Sequence, residues 1–324
     1  FLANFNRYQE RIIRSSYSFA FAGSQNIEVG IERAQTILDS SLQLGLLSDT
    51  RMVSQNFGGL SEVNNTNATV EELRYESFII HNFQINSRMS LETTLIIETS
   101  EIAQSGDVSK KRDFDFIRPK VDYRFDLTPS LQFRASVEKS VSQLSFNDFT
   151  ANTNSGDEDL NTIAGNPELR QEQSWRYDLN LEYRFNNDNG VISSNIYYHD
   201  LEDVIDRVDA STLTTIQSAS GNIGDGERYG LRLNGSLRLN FIGQPGILVT
   251  TGLNLESSSV TDPFLGIDRR LSYFSNNRQG RGSYSLGFRH DMPQRDINYG
   301  FTYRNSIRDN NKVYDINRIE SYNS

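Results

Sequence analysis

The chain has 324 residues, of which 36% are hydrophobic and 23% are charged, and its net charge is −10. It contains no run of about 18 apolar residues, which excludes a transmembrane helix. The absence of cysteine excludes disulfides and thiolate metal sites. The three histidines are scattered, which argues against a His-rich zinc site, and the acidic balance argues against a nucleic-acid-binding protein.

Apolar and polar residues alternate along many segments of the chain. Successive side chains of a strand point to opposite faces, so each segment is predicted as a β-strand with one apolar and one polar face. In chain order, the segments are 13–21, 27–31, 73–80, 91–99, 117–125, 131–137, 175–185, 191–198, 229–239, 247–255, 284–288 and 297–303. The pattern predicts about a dozen strands and no helix.

The connections between these segments alternate in length. Short connections rich in Gly, Pro, Asn, Asp or Ser, as tight antiparallel turns require, lie at 23–26, 85–88, 127–130, 186–190, 241–246 and 291–296. Long connections lie at about 45–68, 104–112, 139–173, 205–226 and 257–281. The short and long connections therefore mark opposite ends of one up-and-down antiparallel sheet, and no linker divides the chain into domains.

The segment SWRYDLNLEYRF (174–185) indicates what the apolar face contacts. It carries aromatic residues at both ends, Leu179 and Leu181 between them, and charged or amide residues at the alternate positions. Ten steps of about 3.3 Å, tilted by roughly 40°, rise about 25 Å, which is the height of the apolar band of an outer-membrane barrel. The aromatic ends match the two interfacial girdles of such a strand. The segment therefore favours lipid on one face and a wet or plugged lumen on the other.

A soluble β-sandwich or solenoid is the alternative, because its strands also alternate. In a sandwich the apolar face is a core, the strands have about 5–6 residues, and both ends carry similar loops. The longer alternation and the unequal connections favour the membrane barrel.

Residues from about 113 to 310 resemble the barrel of a TonB-dependent outer-membrane receptor. In such receptors, a strand pair of the type seen at 116–149 leads into a long extracellular loop that ends in a Gly-Asn-Pro-x-Leu-x-Pro-Glu-x-x-Trp type of sequence. Here the loop ends in GNPELRQEQSW (165–175), which departs from the pattern at Gln171, where proline is usual. The stretch NIGDGERYGLRLNGSLRL (222–239) resembles a strand entry common in these barrels, with Arg232 at the position of a glutamate.

This resemblance implies an all-β, antiparallel, up-and-down transmembrane barrel in the bacterial outer membrane. About 12 strands of a barrel of about 22 strands would be visible here. We expect residues 1–324 to be a single barrel portion, because no plug, no TonB box and no closing C-terminal strand with a terminal aromatic residue is recognisable. The implied partners are outer-membrane lipid and lipopolysaccharide, the TonB complex through a missing N-terminal segment, and a small ligand such as a siderophore, cobalamin, sugar or peptide. Nucleic acid is not an expected partner.

Six basic residues on the polar face are expected to face the lumen, where they could guide an anionic substrate inward. They are Arg118, Lys120, Arg124, Arg134, Arg176 and Arg184. The alternative is that they pair with acids of the plug or of neighbouring strands. Four aromatic residues of the long loops could stack on a ligand or fold the loop back on itself. They are Phe146, Phe149, Tyr273 and Phe274.

No motif for catalysis is present in the sequence. The acidic stretches 157–159 and 199–206 could hold a divalent cation, or they could be a solvated loop tip and a charged strand exit. His199 has no Ser or Cys in a catalytic pattern, and the glycines at 224–226 open a strand rather than a phosphate-binding helix. We expect no enzyme activity, no cofactor and no resident metal.

Three functions are consistent with these observations. The first is a TonB-dependent receptor that binds a scarce ligand with extracellular loops and imports it through a plugged barrel. The second is a passive porin or structural barrel without energy coupling. The third is a soluble β-rich binding protein.

Overall fold

The computed structural model describes residues 2–44, 66–106, 109–149, 152–153, 162–164, 166–186, 189–209, 218–261, 263, 266–271, 281–307, 311–315 and 318–322. The helical segments in these residues are three single 3₁₀ turns, at Phe146–Phe149, Asn240–Ile242 and Pro293–Arg295. None of the helical segments in these ranges has the length and apolar character needed to cross a membrane.

The rest of the described chain is almost entirely β-structure. In chain order, the strands are β1 (Leu2–Phe21), β2 (Gln25–Leu44), β3 (Thr66–Asn86), β4 (Met89–Gly106), β5 (Lys110–Thr128), β6 (Leu131–Val141), β7 (Asn152–Thr153), β8 (Thr162–Ala164), β9 (Gln173–Arg184), β10 (Gly190–Glu202), β11 (Ile205–Asp209), β12 (Ser218–Asn222), β13 (Gly226–Leu239), β14 (Gln244–Thr261), β15 (Asp268–Arg269), β16 (Gly282–Met292), β17 (Ile297–Ile307), β18 (Asn311–Asp315) and β19 (Arg318–Tyr322).

Twelve of these strands form one antiparallel meander. Its order is β1-β2-β3-β4-β5-β6-β9-β10-β13-β14-β16-β17, and the short strand β15 adds to β14. Each strand pairs with the next long strand along the chain, as tight turns on one side and long loops on the other require. The predicted all-β, up-and-down architecture with about twelve strands is confirmed.

The predicted strand lengths were wrong for β1 to β5. These strands have 18–21 residues, whereas the predicted segments were two to four times shorter, and β3, β4 and β5 extend into the segments that were predicted as connections at 45–68 and 104–112. The extensions were missed because polar side chains occupy both faces there, so the apolar alternation ends before the strand does. Gln35 and Asp39 of β2, for example, bond to Glu71 and Thr69 of β3 on the same face as the apolar residues below them.

The sheet has two chemically different faces, which the strand register defines. Leu179 of β9 lies opposite Ala135 of β6 and Ile196 of β10, and Ile196 lies opposite Leu231 of β13. We call the face that carries these side chains the outer face. Leu179 is 49% exposed and Leu181 is 44% exposed, so no second sheet of the described chain packs on it as a sandwich core would require.

Aromatic residues occupy the predicted ends of this outer face. Tyr177, Tyr198 and Tyr229 form one cross-strand row on the side of the long loops, and all three are exposed. At the other end of β9, the ring of Tyr183 meets that of Phe185 edge to face, with centroids 5.1 Å apart. The outer face of β9 therefore has the aromatic-leucine-aromatic profile of a strand that spans an apolar layer.

The opposite face, which we call the inner face, carries the predicted polar positions and is covered in part by the long loops. Leu38, Val70 and Ile102 lie on this face in the upper parts of β2, β3 and β4. They form a buried cluster with Phe146 and Leu169 of the connection between β6 and β9. The long loop therefore folds over the inner face, which makes the inner face the lumen side of the sheet.

We expect a charge on the outer face to be much more costly than the same charge on the inner face. In the full-length protein, Leu179→Arg should lower the free energy of unfolding by about 2–4 kcal/mol, because the guanidinium would lie in the apolar layer. Urea titration of the protein in lipid vesicles measures this loss. Asn234→Arg, on the inner face of β13, is the matched control and should cost much less, because its guanidinium would face the polar lumen. Equal losses for the two variants would contradict the assignment of the faces.

Candidate functional site: the inner face and its loop cap

All six basic residues predicted to face the lumen lie on the inner face. Each has a carboxylate within 4 Å: Arg118 with Glu76 (3.1 Å) and Glu98 (3.0 Å), Lys120 with Glu92 (3.3 Å), Arg124 with Asp126 (2.9 Å), Arg134 with Asp122 (2.6 Å), Arg176 with Glu138 (3.7 Å) and Arg184 with Glu182 (2.7 Å). The structure thus shows the pairing that the sequence offered as the alternative to substrate guidance. Guidance of an anionic substrate by these residues stays a prediction.

A row of carboxylates crosses the inner face of β2, β3 and β4. Glu32 lies opposite Glu76, and Glu76 lies opposite Glu98, although like charges in directly opposed positions destabilise a sheet. Arg74 offsets this repulsion, with its Nε 3.2 Å from Glu76, and Arg118 bridges Glu76 and Glu98. The negative charges of this row are therefore balanced by arginines of the same sheet, even though Glu98 is only 2% exposed.

A second polar cluster lies on β10, β13 and β14. The hydroxyl of Tyr197 donates a hydrogen bond to Glu256 (2.7 Å), and Arg228 forms an ion pair with the same carboxylate (2.6 Å). The guanidinium of Arg232 lies 4.5 Å from the centroid of the Tyr197 ring. A Cβ at Gly230 would lie 2.5 Å from the Tyr197 hydroxyl oxygen, so a glycine at this position makes room for the ring.

This cluster explains one departure from the receptor pattern. The position of the usual glutamate is taken by Arg232, and Glu256 of the neighbouring strand β14 supplies a carboxylate to the same cluster. Tyr197 was missed by the sequence reasoning. The sequence did contain a signal for it. Tyr197 and Tyr198 are adjacent in a strand, so one of the two rings must point to the polar face.

The described part of the long connection 142–172, which we call loop A, lies on the inner face of β1 to β4. The rings of Phe146 and Phe149 meet edge to face, with centroids 6.4 Å apart, and both rings are buried against the strands. The hydroxyl of Tyr8 donates to Asn147 (2.6 Å), and the amide of Gln104 donates to the carbonyl of Phe149 (3.1 Å). A small apolar core and polar contacts at its edges therefore hold the described part of loop A against the inner face of β1 to β4.

The residues of the GNPELRQEQSW segment close loop A. Asn166 accepts a hydrogen bond from the backbone N–H of Glu168 (2.9 Å), which forms the turn at the start of the segment. Leu169 enters the apolar core, and the Arg112 guanidinium donates to the carbonyls of Pro167 and Leu169. This segment therefore packs the end of loop A against the inner face of the sheet before β9 begins.

Glu172 ends this segment in a buried position. Its carboxylate accepts a hydrogen bond from the backbone N–H of Ile205 (3.2 Å), which ties loop A to the next long connection. Burial raises the pKa of Glu172, and the Ile205 N–H opposes that shift in part. Gln171, where proline is usual, is also buried.

The connections 203–225 (loop B) and 262–281 (loop C) join loop A in one cap. Strands β11 and β12 of loop B and β8 and β7 of loop A form one four-stranded sheet, in which β12 pairs with β8. Ser220 of loop B donates to Asp148 of loop A (2.9 Å). Asp206 of loop B and Arg269 of loop C form an ion pair of 2.6 Å, and both side chains are almost fully buried. The described parts of the three loops are thus held together by a sheet, polar contacts and a buried ion pair.

The loop residues that were proposed as ligand contacts fall into two groups. Phe146 and Phe149 pack loop A on the inner face of the sheet, so the structure gives them a packing role. Ligand contact by these rings stays a prediction. Tyr273 and Phe274 lie outside the described residues.

The acidic side chains of the stretch 199–206 form ion pairs with basic residues in the structure. In 199–206, Asp206 pairs with Arg269, Asp203 with Arg170, and Glu202 with Lys139. The described residues contain no group of three or more histidine or acidic side chains that could hold a metal ion. Residues 157–159 lie outside the described ranges.

Comparison with known proteins agrees with this architecture. Residues 2–261 match the family described as TonB dependent receptor-like, beta-barrel. A comparison with curated proteins gave no match. Similar solved structures include the copper transporter OprC, with 12% identity, a TM-score of 0.69, and coverage of 94% of this chain and 44% of that chain.

Two further solved structures show the same fold. The alcaligin outer-membrane receptor FauA from Bordetella pertussis has 13% identity and a TM-score of 0.60, with coverage of 95% of this chain and 48% of that chain. The ferric citrate transporter FecA in its unliganded form has 12% identity and a TM-score of 0.66, with coverage of 90% and 41%. The chain spans less than half the length of each of these structures, and the likeness is one of fold.

We expect the Asp206–Arg269 pair to control the integrity of the cap. Asp206→Ala leaves the buried guanidinium of Arg269 without this carboxylate, which should cost about 3–5 kcal/mol of local stability. Protease cleavage and hydrogen exchange of loops B and C in the full-length protein measure this opening. The double variant Asp206→Leu, Arg269→Met should regain most of the protection, because it removes both buried charges together. Unchanged protection in Asp206→Ala would show that the pair does not hold the cap.

Proposed function

Because this chain belongs to the family described as TonB dependent receptor-like, beta-barrel, we propose that it is the barrel part of a receptor in the bacterial outer membrane. The receptor binds a scarce ligand with its extracellular loops and imports it with energy supplied by TonB. The family is one of transporters and receptors rather than enzymes, and we assign no catalytic step to the chain. The chain would act by selective binding and gated passage.

The two-faced sheet with an inward-folded cap carries this proposal. A bilayer accepts a β-structure only if its outward side chains are apolar and its backbone hydrogen bonds are satisfied between strands. The outer face provides exposed Leu179, Leu181 and Ile117 for contact with lipid, whereas the inner face provides paired charges. A soluble sandwich would need a second sheet over the outer face, and the described chain has none.

The two ends of the meander support a larger barrel. Among the described strands, β1 pairs only with β2, and β17 pairs only with β16. An unpaired strand edge cannot stay open within a bilayer, because no water is present there to satisfy its N–H and C=O groups. We propose that further strands of the full-length protein pair with both edges and complete a barrel of about 22 strands around an N-terminal plug.

The cap supports ligand entry from the side of the long loops. Loops A, B and C all connect strand ends on the side opposite the tight turns, and their described parts lie over the upper part of the inner face. A ligand that reaches the lumen from this side must first contact these loops. Tyr273 and Phe274 of loop C are proposed as ligand contacts, and a passive porin is disfavoured because loop A fills part of the lumen rather than leaving it open.

Energy-dependent uptake is the property that separates this function from passive diffusion. In cells that express the full-length protein, we offer copper ions, ferric citrate and ferric alcaligin as probes, which are the cargoes named for the three structural relatives. We expect at least one probe to accumulate, and its accumulation to fall to background when TonB is disabled while surface binding is retained.

Removal of loop B residues 205–223 should abolish probe binding while leaving the barrel in the membrane, which heat-modifiable gel migration verifies. A passive porin gives the opposite pattern, because accumulation would persist without TonB and would rise after loop removal. Such a result would overturn the assignment of energy-coupled uptake.

A further inference from the structure

A concave pocket on the inner face of β13, β14, β16 and β17 is lined by basic and neutral residues. Its volume is about 480 Å³. The charged residues among those that line it are Arg232 of β13 and Arg304 of β17, and both side chains are exposed. The hollow beside it, which shares Arg232 and extends over β5 to β13, is lined by four carboxylates in addition to its basic residues. We call the first of these hollows the basic pocket.

Arg232 belongs to a cluster with more positive than negative charge. The acid nearest to it in the strand register is Glu256 of β14, two residues from Asn254, which lies directly opposite Arg232. The Glu256 carboxylate already accepts hydrogen bonds from Tyr197 (2.7 Å) and Arg228 (2.6 Å). Within the described residues, no carboxylate lies within 4 Å of the Arg232 guanidinium. One carboxylate therefore serves two arginines, and the cluster keeps an excess of positive charge.

Arg304 has no acid at its own level on the neighbouring strand β16. It lies opposite Ser285, and the adjacent inner-face positions of β16 are a serine and a glycine. The nearest inner-face acid of β16, Asp291, is six residues from Ser285, and it pairs with Arg289 at 2.8 Å. In the part of the chain that the structure describes, Arg304 has no carboxylate within 4 Å. The positive charge of the basic pocket is thus left for an anion that enters it.

Small polar side chains form the floor of the basic pocket between the two arginines. Ser283, Ser285 and Asn234 line it on the same face. A Cβ at Gly252 would lie 2.8 Å from the hydroxyl oxygen of Ser285 and 3.6 Å from the amide oxygen of Asn234, so the glycine keeps the floor open. Hydroxyl and amide groups donate hydrogen bonds to anion oxygens without adding charge. The floor is therefore suited to the oxygens of an anion held between the arginines.

The spacing of the two arginines indicates the kind of anion. Arg232 lies opposite Asn254, and Asn254 lies opposite Ser283. Ser283 in turn lies opposite Ser306, which is two residues from Arg304. Three strand spacings and this offset place the Cα atoms of the two arginines roughly 16 Å apart. A guanidinium binds carboxylate or phosphate oxygens with two parallel hydrogen bonds, so the pocket suits an anion with oxygens at both ends better than a single small ion.

Both arginines lie within the membrane-spanning height of the sheet. Arg232 is seven residues from the tight-turn end of β13, and Arg304 is seven residues from that of β17. Seven steps of about 3.3 Å, tilted by roughly 40°, rise about 18 Å, which is within an apolar band of about 25 Å. The basic pocket therefore lies below the level of the cap, on the path that a ligand would take after passing the loops.

We propose that Arg232 and Arg304 form an oxyanion-binding site in the lumen, which holds carboxylate or phosphate groups of the imported ligand after the ligand has passed the cap. This inference rests on the proposed function and specifies the charge of its cargo. The excess of positive charge, the open floor and the spacing of the two guanidinium groups support it. The six basic residues on β5 to β9 are paired with acids, so the basic pocket offers anions an attraction that those residues do not.

Anion binding by the full-length protein in detergent tests this site. The probe is tripolyphosphate, which carries oxygens at both ends, and inorganic phosphate is the short comparison. Calorimetric titration measures both affinities. We expect tripolyphosphate to bind more tightly than inorganic phosphate, with an affinity that falls at high salt. Arg232→Gln and Arg304→Gln should each weaken its binding about tenfold, because each removes charge-assisted hydrogen bonds to the probe.

Two further variants separate the pocket from the general charge of the lumen. Gly252→Val fills the floor without changing the charge, and it should also weaken tripolyphosphate binding. Arg289→Gln removes an inner-face arginine that already has an acidic partner, and it should leave the affinity unchanged. Heat-modifiable gel migration verifies the fold of each variant, and Arg304→Gln decides the test if Arg232→Gln does not fold. Unchanged affinity in the folded pocket variants, or an equal loss in Arg289→Gln, would overturn the proposal.

The wild-type titration also identifies the source of the oxygens that fill the pocket. If carboxylates of the plug or of a further strand occupy it, the wild-type protein will not bind tripolyphosphate, and the double variant Arg232→Gln, Arg304→Gln will be less stable to heat. That result would overturn the proposal. A protein that accumulates its cargo with TonB but binds no tripolyphosphate retains the proposed function and loses the anion site. Binding at these arginines in a protein whose uptake is independent of TonB would keep the anion site and remove the energy-coupled function.

Discussion

The hydrogen-bonding demand of the backbone inside a bilayer is the constraint on which the structure depends. Lipid offers no partner for an N–H or C=O group, so each strand must be paired along its length by its neighbours. The meander from β1 to β17 meets this demand with antiparallel ladders, and tight turns let each strand pair with its successor. Because strand side chains alternate, the same ladders then divide the sequence into an apolar face and a polar face.

The division into two faces places many charged side chains on the inner face, where they need partners. Charged side chains that turn away from lipid enter an enclosed space, where an isolated charge is costly. The chain meets this cost locally, because Arg134 pairs with Asp122 and Arg118 bridges Glu76 and Glu98. Most of these partners lie on the same or adjacent strands, so the network forms with the sheet itself. A lumen lined in this way is polar without carrying a strong local charge of one sign.

The fold could be predicted from the sequence to the extent that local pattern determines it. The alternation in 175–185 fixed the two faces of β9, and the tight turns fixed the order of the strands. The upper halves of β1 to β5 were missed, because residues such as Gln35 and Thr69 are polar on the face that is apolar below them. Contacts between distant segments left no local signal, as the 63-residue separation of Asp206 and Arg269 shows.

The cap follows from the unequal heights of the two halves of the sheet. Strands β1 to β5 extend beyond the level at which β6 and β9 end. Loop A therefore packs its apolar residues, including Phe146 and Leu169, against the inner face of these longer strands. Loops B and C then close on loop A through the four-stranded sheet and the buried Asp206–Arg269 pair. Because these contacts are shared among the loops, displacing one loop breaks bonds held by the others. We therefore expect the described parts of the cap to open together, and under the proposed function they would offer a ligand one preorganised surface rather than a set of independent flaps.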